Sequence, residues 1–294
     1  MNNRSLVIRH TIYLFITALI WGTAFVAQSV GNIMGPFTFN CLRSLLGGLV
    51  LIPFIKYFYK GIKPDITTIK GGICCGLCLF AASNLQQYGL LYTSPGKAGF
   101  ITAGYILIVP ILGLFVGKRI SARIAAAVVA ALVGLYLLCI PVGEGMSINQ
   151  GDMLCMVCAL VFSLHIITID HFAPKAEGVK MACIQFLVCS ALSAVLMLLF
   201  EEPDPKSIAE GIIPLIYAGV FSSGVAYTLQ IVGQPGVNPT IASLILSLES
   251  CIAVIAGWLI LGEGMNTREV TGCIIMFAAI IITQLPQKAK KKSA

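Results

Sequence analysis

Residues 181–200 read MACIQFLVCSALSAVLMLLF, twenty positions without an acidic or basic side chain. A helix that crosses the hydrocarbon core of a bilayer needs about 20 mostly apolar residues, so this run is long enough to span one. It has nine companions. Apolar runs occupy about 12–30, 36–57, 71–92, 98–116, 120–140, 151–170, 181–200, 211–232, 239–261 and 267–285. They are too long and too continuous to alternate as barrel strands do. The composition agrees, with 58% hydrophobic and 11% charged residues, against about 45–50% and about 25% in a soluble domain. Nineteen basic and 12 acidic side chains cannot cover a water-soluble fold of 294 residues. A cytosolic enzyme, a nucleic-acid binder and a disordered tail protein are thereby excluded. The fold class that follows is all-α integral membrane, with ten transmembrane helices.

The joints are short and carry turn chemistry: Gly31 to Pro36, Ser94-Pro95-Gly96, Gly143-Glu144-Gly145 and Gln234-Pro235-Gly236. The longest insert, Glu201 to Glu210, is too small for a soluble catalytic domain. The first run follows Arg4 and Arg9 as a signal peptide would, yet it is long, shows no small-residue cleavage site and leads at once into another run. It reads as a retained helix. Lys and Arg near span ends set orientation. With ten spans, 15 of them fall on the side of the N-terminus and 3 on the other (Lys97, Lys206, Arg268), with Arg43 inside a span. Eight acids, Asp152, Glu201 and Glu263 among them, take the second side. One miscounted span would scramble that bias. The reading is a multi-pass protein of the cell (cytoplasmic) membrane with both termini cytoplasmic.

The two halves resemble each other. Gly117-Lys118-Arg119-Ile120-Ser121 ends the fourth run and Gly262-Glu263-Gly264-Met265-Asn266 ends the ninth, an offset of 145 that also takes Leu114 to Leu259, Arg123 to Arg268 and Pro141 to Pro286. Trp21, in Ala-Leu-Ile-Trp-Gly, corresponds to Phe162, in Ala-Leu-Val-Phe-Ser. Matches in a fixed order indicate an internal repeat. Five spans per repeat is an odd number, so the second copy enters the membrane upside down. The expected domains are residues 1–145, a first five-helix repeat, and 146–294, a second, inverted repeat with a basic cytoplasmic tail. Inverted repeats recur in secondary transporters, where two like halves exchange conformations around a midplane site.

At this point the sequence resembles a known family. The block Trp21-Gly22-Thr23-Ala24-Phe25, Arg43 in the second run, Ser94 through Thr102, and Ser247-Leu248-Glu249-Ser250 with Gly257 through Glu263 are similar to the EamA-like branch of the drug/metabolite transporter superfamily. The resemblance covers nearly the whole chain in two copies. It implies a ten-helix secondary transporter that exports amino acids, related metabolites or amphiphiles. Nucleotide-sugar carriage within the same superfamily is an alternative, and an integral-membrane enzyme acting on lipid is a more distant one. The sequence departs from the family pattern at Ser250, where the second copy often has Pro after Glu. The expected kink of that helix therefore has no proline to make it.

An ionisable group at bilayer depth costs about 2.5–3.5 kcal/mol on insertion scales, so each one counts. Arg43 and Glu249 are expected to face the bundle interior. They are candidates to pair with each other, or for Arg43 to take a substrate carboxylate in its planar fork and Glu249 a substrate amine or a coupling proton. Trp21 is the expected apolar wall. Gln86, Gln87, Gln230 and Tyr227 are secondary substrate contacts, with Asn84 beside them; amides here serve equally as interhelical glue. Tyr105 is a further aromatic candidate. Lys97 has two readings, snorkelling to the interface and a cavity role. Tyr88 and Tyr92 suit an interfacial belt. A lone intramembrane His165 more often hydrogen-bonds a neighbour than relays protons, and His171, six residues on, lies on another face.

The eleven cysteines fall almost entirely inside apolar runs, where Cys packs as a small hydrophobe. The CxxC pairs Cys75/Cys78 and Cys155/Cys158 read as packing rather than metal or redox chemistry. Gly72/Gly76 and Gly113/Gly117 fit close helix approach. No GxxxxGK[ST], HExxH or GxSxG occurs, so the chain reads as no enzyme, with no cofactor and no metal. The expected partners are a small-molecule substrate and membrane lipid, with no nucleic acid, and the carrier would work as a monomer or homodimer, driven by a proton or by the substrate's own gradient.

Overall fold

The computed structural model describes residues 3–60, 63–93, 95–117, 120–140, 148–256, 258–259 and 266–284. Gly143-Glu144-Gly145, Lys118 and Arg119, Gly262 through Met265 and the lysine-rich tail lie outside the described residues, and so does Ser94. The described chain is helical, without a strand. Helices α1 (Asn3–Gly31), α2 (Pro36–Phe58) and α3 (Ile66–Gly89) are followed by a divided unit, α4 (Pro95–Thr102) and α5 (Tyr105–Phe115), and then by α6 (Ala122–Cys139). Next come α7 (Gln150–Phe172), α8 (Gly178–Phe200) and the short α9 (Pro205–Glu210). Helix α10 (Ile212–Ile216) continues through the π-helical segment Tyr217–Tyr227 into α11 (Thr228–Gly233). A second divided unit, α12 (Pro239–Leu246) and α13 (Leu248–Ala256), precedes α14 (Thr267–Gln284). Among the described residues, nine helical stretches are long and apolar enough to cross a membrane. The tenth expected run forms the 18-residue α14.

The helix starts follow local chemistry. Asp65, Ser121, Asp204 and Asn238 each accept a hydrogen bond from a backbone N–H of the first turn. Asn149 and Asp152 form a reciprocal capping box at α7. Pro36, Pro205 and Pro239 occupy first positions, where no N–H is needed. The start of α2 borrows its cap from α8: Glu201 accepts from Phe37 N (2.9 Å), Thr38 N (2.7 Å) and Thr38 Oγ1 (2.7 Å). Gly35 precedes it at φ +90°, and a Cβ there would lie 2.7 Å from the Glu201 carboxyl. Much of the outer surface is apolar, for example Leu198, Leu199 and Phe200, as a fold solvated by lipid requires.

Helix α2 packs on α8, and α6 on α14. Both pairs run antiparallel, as their contacts show. Ser190 Oγ donates to Cys41 O (3.0 Å), Ser44 Oγ lies 3.3 Å from Cys189 Sγ, and Cys183 Sγ donates to Gly48 O (3.5 Å). Rising positions on α2 thus meet falling positions on α8. On the other pair, Arg123 Nη2 donates to Thr283 O (3.4 Å), while Arg268 lies over the Tyr136 ring (5.1 Å). These helices touch at Gly134 and Gly272, where a Cβ on Gly272 would sit 2.6 Å from Gly134 O. Further contacts join α3 to α7 and α8, and α1 to α13 and the π-helical segment. Gly72 and Gly76 lie against Ile184 and Val188 of α8, which is the expected close approach. Helix α1 is part of the bundle, with Leu14 and Ala18 in its core.

Two helix breaks matter for the site. Between α4 and α5, Gly104 N bonds to Ile101 O (3.0 Å) and Leu107 N to Gly104 O (2.9 Å), tight i→i+3 steps. Between α12 and α13, Ser250 N bonds to Ser247 O (3.2 Å), and Ser247 Oγ takes Leu244 O (2.8 Å). The second helix thus breaks at Ser247, three residues before the position where a proline was missing. The breaks lie at nearly the 145-residue offset that relates the two halves. In the π-helical segment, α1 supplies donors to the backbone: Thr17 Oγ1 to Ala226 O (3.0 Å) and Trp21 Nε1 to Ser222 O (3.2 Å). Irregular backbone at bilayer depth persists where such groups are satisfied by protein.

Candidate functional site

A cavity lies beside both helix breaks, with about 560 Å3 of atom-free space when the open solvent at its mouth is included. Thr102 and Tyr105 flank the first break, Leu246 and Glu249 the second, and all four line it. Helix α1 contributes Trp21 and Gln28, two turns apart on one face. Helix α7 contributes Phe162, His165 and Ile166 at the i, i+3, i+4 spacing of one face. Arg43 of α2, Gln86 of α3, Ser222 and Tyr227 of the π-helical segment and Gln230 of α11 complete the wall.

Arg43 is buried, 6% exposed, and its guanidinium lies over the Phe39 ring one turn earlier, 5.4 Å from the centroid. Among the described residues no carboxylate stands within ion-pair reach of it and no hydrogen bond engages it. Arg43 and Glu249 therefore share a cavity without pairing. Glu249, in the first turn of α13, accepts from Tyr105 Oη at 3.4 Å, a long bond that leaves most of the carboxyl's capacity unused.

Tyr227 is the centre of an aromatic group. Its ring lies 4.5 Å from Trp21, 5.7 Å from Phe186 and 6.0 Å from His165. The tilted and edge-on arrangements are those aromatic pairs favour. His165 Nε2 bonds to Gln185 Oε1 (2.9 Å), which leaves Nδ1 as an acceptor without a donor. Gln230 Oε1 is likewise buried without a donor. Gln86 Nε2 reaches Thr102 Oγ1 at 3.4 Å. His171 is exposed and edge-on to Phe172, away from His165. Among the described residues there is no cluster of three or more His, Cys, Asp or Glu fit to hold a metal.

Of the substrate contacts expected from sequence, the structure brings together Arg43, Glu249, Trp21, Gln86, Gln230 and Tyr227. Gln87 is not among them. Its Nε2 donates to Gln28 O (3.0 Å) and Asn32 Oδ1 (2.7 Å), holding α3 to the end of α1. Lys97 is also elsewhere. It pairs with Asp152 (2.5 Å), which also accepts from Thr93 Oγ1 (2.7 Å). That pair ties α4 to the first turn of α7, ten residues or about 15 Å along the helix from Phe162. Asn84 donates to Ser193 Oγ (2.8 Å) and accepts from Asn40 (3.2 Å), a contact between helices. Gln28, Thr102, Ser222, Ile166 and Leu246 line the cavity without having been singled out from sequence. Gln28 was within reach, because it stands seven residues from Trp21, two helical turns on along the same face.

Comparisons with known proteins agree with this architecture. The model of the EamA-like transporter family matches the chain twice, at residues 9–140 and 149–285. An uncharacterized transporter of Archaeoglobus fulgidus is 30% identical over 275 residues, covering 92% of this chain and 84% of the relative. A chloroplastic WAT1-related protein of Arabidopsis thaliana is 25% identical, covering 91% of this chain and 67% of the relative. A solved crystal structure of a protein superposes with a TM-score of 0.81 at 18% identity, over 94% of this chain and 96% of that one, a likeness of fold. A chain of membrane-length apolar helices, matched by one family model across both halves, belongs to the EamA-like transporter family of the drug/metabolite transporter superfamily.

Proposed function

We propose that the chain is a secondary carrier of ten spans, built from inverted repeats at residues 1–145 and 146–294, that exports small metabolites such as amino acids or related amphiphiles by alternating access. The observation that carries this reading is the composition of the cavity. Arg43 and Trp21 come from the first half, Glu249 and Tyr227 from the second, and the two helix breaks meet there. Discontinuous helices around a central site are a recurring device of inverted-repeat carriers. The repeat draws support from the antiparallel pairs α2–α8 and α6–α14, which join corresponding helices of the two halves, and from the family model matching once per half. Exchanging the halves also turns the α3–α7 contact into the contact of α1 with the π-helical segment. Both termini face the cytoplasm on the charge bias, in the cell membrane. Arg43 and Glu249 anchor the polar groups of the substrate, Trp21 forms the apolar wall, and Glu249 is the candidate carrier of a coupling proton. The chain acts as a transporter and not as an enzyme.

Counterflow of labelled amino acids in proteoliposomes tests the reading. Wild-type protein accumulates label transiently against an internal load of unlabelled solute. Arg43→Ala and Glu249→Gln each lower the rate about tenfold or more, equivalent to ~1.4 kcal/mol of lost interaction. Flux unaffected by either substitution removes the site assignment, and the absence of counterflow across the metabolite panel contradicts the carrier.

A further inference from the structure

The helices around the cavity pack as two groups. Helix α7 packs on α3, α4 and α5, and α1 packs on the π-helical segment, α11, α12 and α13. Each group thus contains helices from both halves of the chain. Two glutamines outside the cavity wall bond from one group to the other. Gln87, near the end of α3, donates through Nε2 to Gln28 O (3.0 Å) and Asn32 Oδ1 (2.7 Å) at the end of α1. Gln234, the residue that follows α11, donates through Nε2 to Ile166 O of α7 (2.6 Å). Neighbours of each bond line the cavity: Gln28 and Gln86 at the first, Ile166 and Gln230 at the second. The two bonds lie at opposite ends. Gly89 of α3 meets Gly151 and Cys155 of α7, whereas Ile166 stands 15 residues beyond Gly151, about 22 Å along the helix. They also correspond under exchange of the halves, since one ties the third apolar run to the first and the other ties the eighth to the sixth. Both glutamines are fully buried, and both leave Oε1 without a donor among the described residues.

A buried carbonyl oxygen without a donor is unfavourable. Each bond therefore closes its end of the cavity at a cost, and water entering at that end satisfies both polar atoms of the freed amide. A permanent tie is built differently. The carboxyl of Asp152 accepts from Asn149 N, Thr93 and Lys97, and it ties α4 to α7 within one group. We infer that Gln87 and Gln234 are positioning residues, latches that hold the two mouths of the cavity shut, and that each opens in turn during carriage. The structure is then the state with both latches closed. The alternation rests on the carrier reading above, which it deepens; the closure of each mouth stands without it.

The test reads access to the cavity and needs no known solute. Ser222→Cys in the full-length chain is the reporter, because Ser222 lines the cavity. The protein is reconstituted in right-side-out and in inverted vesicles and labelled with a membrane-impermeant thiol reagent, with the chain that keeps Ser222 as background. Gln87→Met and Gln234→Met remove the amide and keep the bulk of the side chain. Each is expected to raise the labelling rate from one face about fivefold, the order of one net hydrogen bond, and the two faces are opposite. The charge bias makes the face opened by Gln87→Met the outer one. Asn32→Ala removes one acceptor of Gln87, shifts labelling toward the same face by a smaller factor, and serves if Gln87→Met does not fold. Gln234→Asn, too short to keep the bond to Ile166, serves in the same way at the other end. Loss of packing alone would raise labelling from both faces together. That result overturns the inference, as do both variants opening the same face or an unchanged rate in either folded variant. Counterflow of labelled amino acids is measured on the same vesicles. Opposite shifts in labelling without any counterflow would fail the carrier reading and leave the latches, whereas counterflow with unchanged labelling would do the reverse.

Discussion

Arg43 and Glu249 could be found from sequence because an ionisable residue stands out in an apolar run and its cost demands a role. Which neighbour each one meets could not. Gln86 and Gln87 are consecutive, and successive helical side chains point about 100° apart. One can face the cavity while the other faces a helix, and the sequence does not say which. The structure turns Gln86 to Thr102 and Gln87 to Gln28 and Asn32. Lys97 had two open readings because its partner, Asp152, is 55 residues away. Residue identity also sets where α3 begins. The expected run started near residue 71, but Asp65 caps the helix and brings Thr67, Thr68 and Lys70 into its first turns. Hydrogen bonds from the Thr68 side chain and backbone hold the Asp65 carboxyl below its ordinary value of 3.8. A carboxyl lowered in the folded state stabilises the fold above the unfolded value and loses that contribution as pH falls through the folded one. The melting temperature of wild-type protein, measured in detergent between pH 7 and pH 3, should therefore fall more steeply than that of Asp65→Asn, with the two curves converging at the acid end. Parallel curves would mean the cap contributes nothing.

At the scale of the element, apolar length identified the spans, and turn residues marked the joints. Interruptions within spans were harder to read. No proline follows Glu249, yet the helix breaks at Ser247, because the Ser247 hydroxyl takes a carbonyl of its own preceding turn and the next bonds tighten. The π-helical segment left no mark in the sequence either. Its backbone is satisfied by Thr17 and Trp21, which are some 200 residues distant. Helix pairs depend on local surfaces in a way that can be tested. At the crossing of α6 and α14, a methyl group on Gly272 would stand 2.6 Å from a backbone oxygen that cannot rotate away. Gly272→Ala is expected to destabilise the folded protein by about 2–3 kcal/mol, toward the upper end for overpacking, read as a lowered midpoint in chemical denaturation. A midpoint equal to wild type would show that the two helices can separate at no cost.

For the whole molecule, composition alone set the solvent, and a weak offset of 145 residues suggested two related halves. The antiparallel packing of α2 on α8 and of α6 on α14 supports that suggestion, since corresponding helices of inverted repeats must run in opposite directions. The shape of the cavity was not legible, because it is assembled from helices at opposite ends of the chain and depends on which face each one turns inward. If the halves do exchange conformations, a cavity residue meets water from both sides of the membrane in turn. Ser222 lines the cavity from the π-helical segment and is buried. Labelling of Ser222→Cys with a membrane-impermeant thiol reagent, in right-side-out and in inverted vesicles and above the background of the native cysteines, is the most direct measurement. The account predicts labelling from both faces, slowed by bound ligand in each orientation. Labelling from one face alone, in both vesicle types and whatever the ligand, would contradict it.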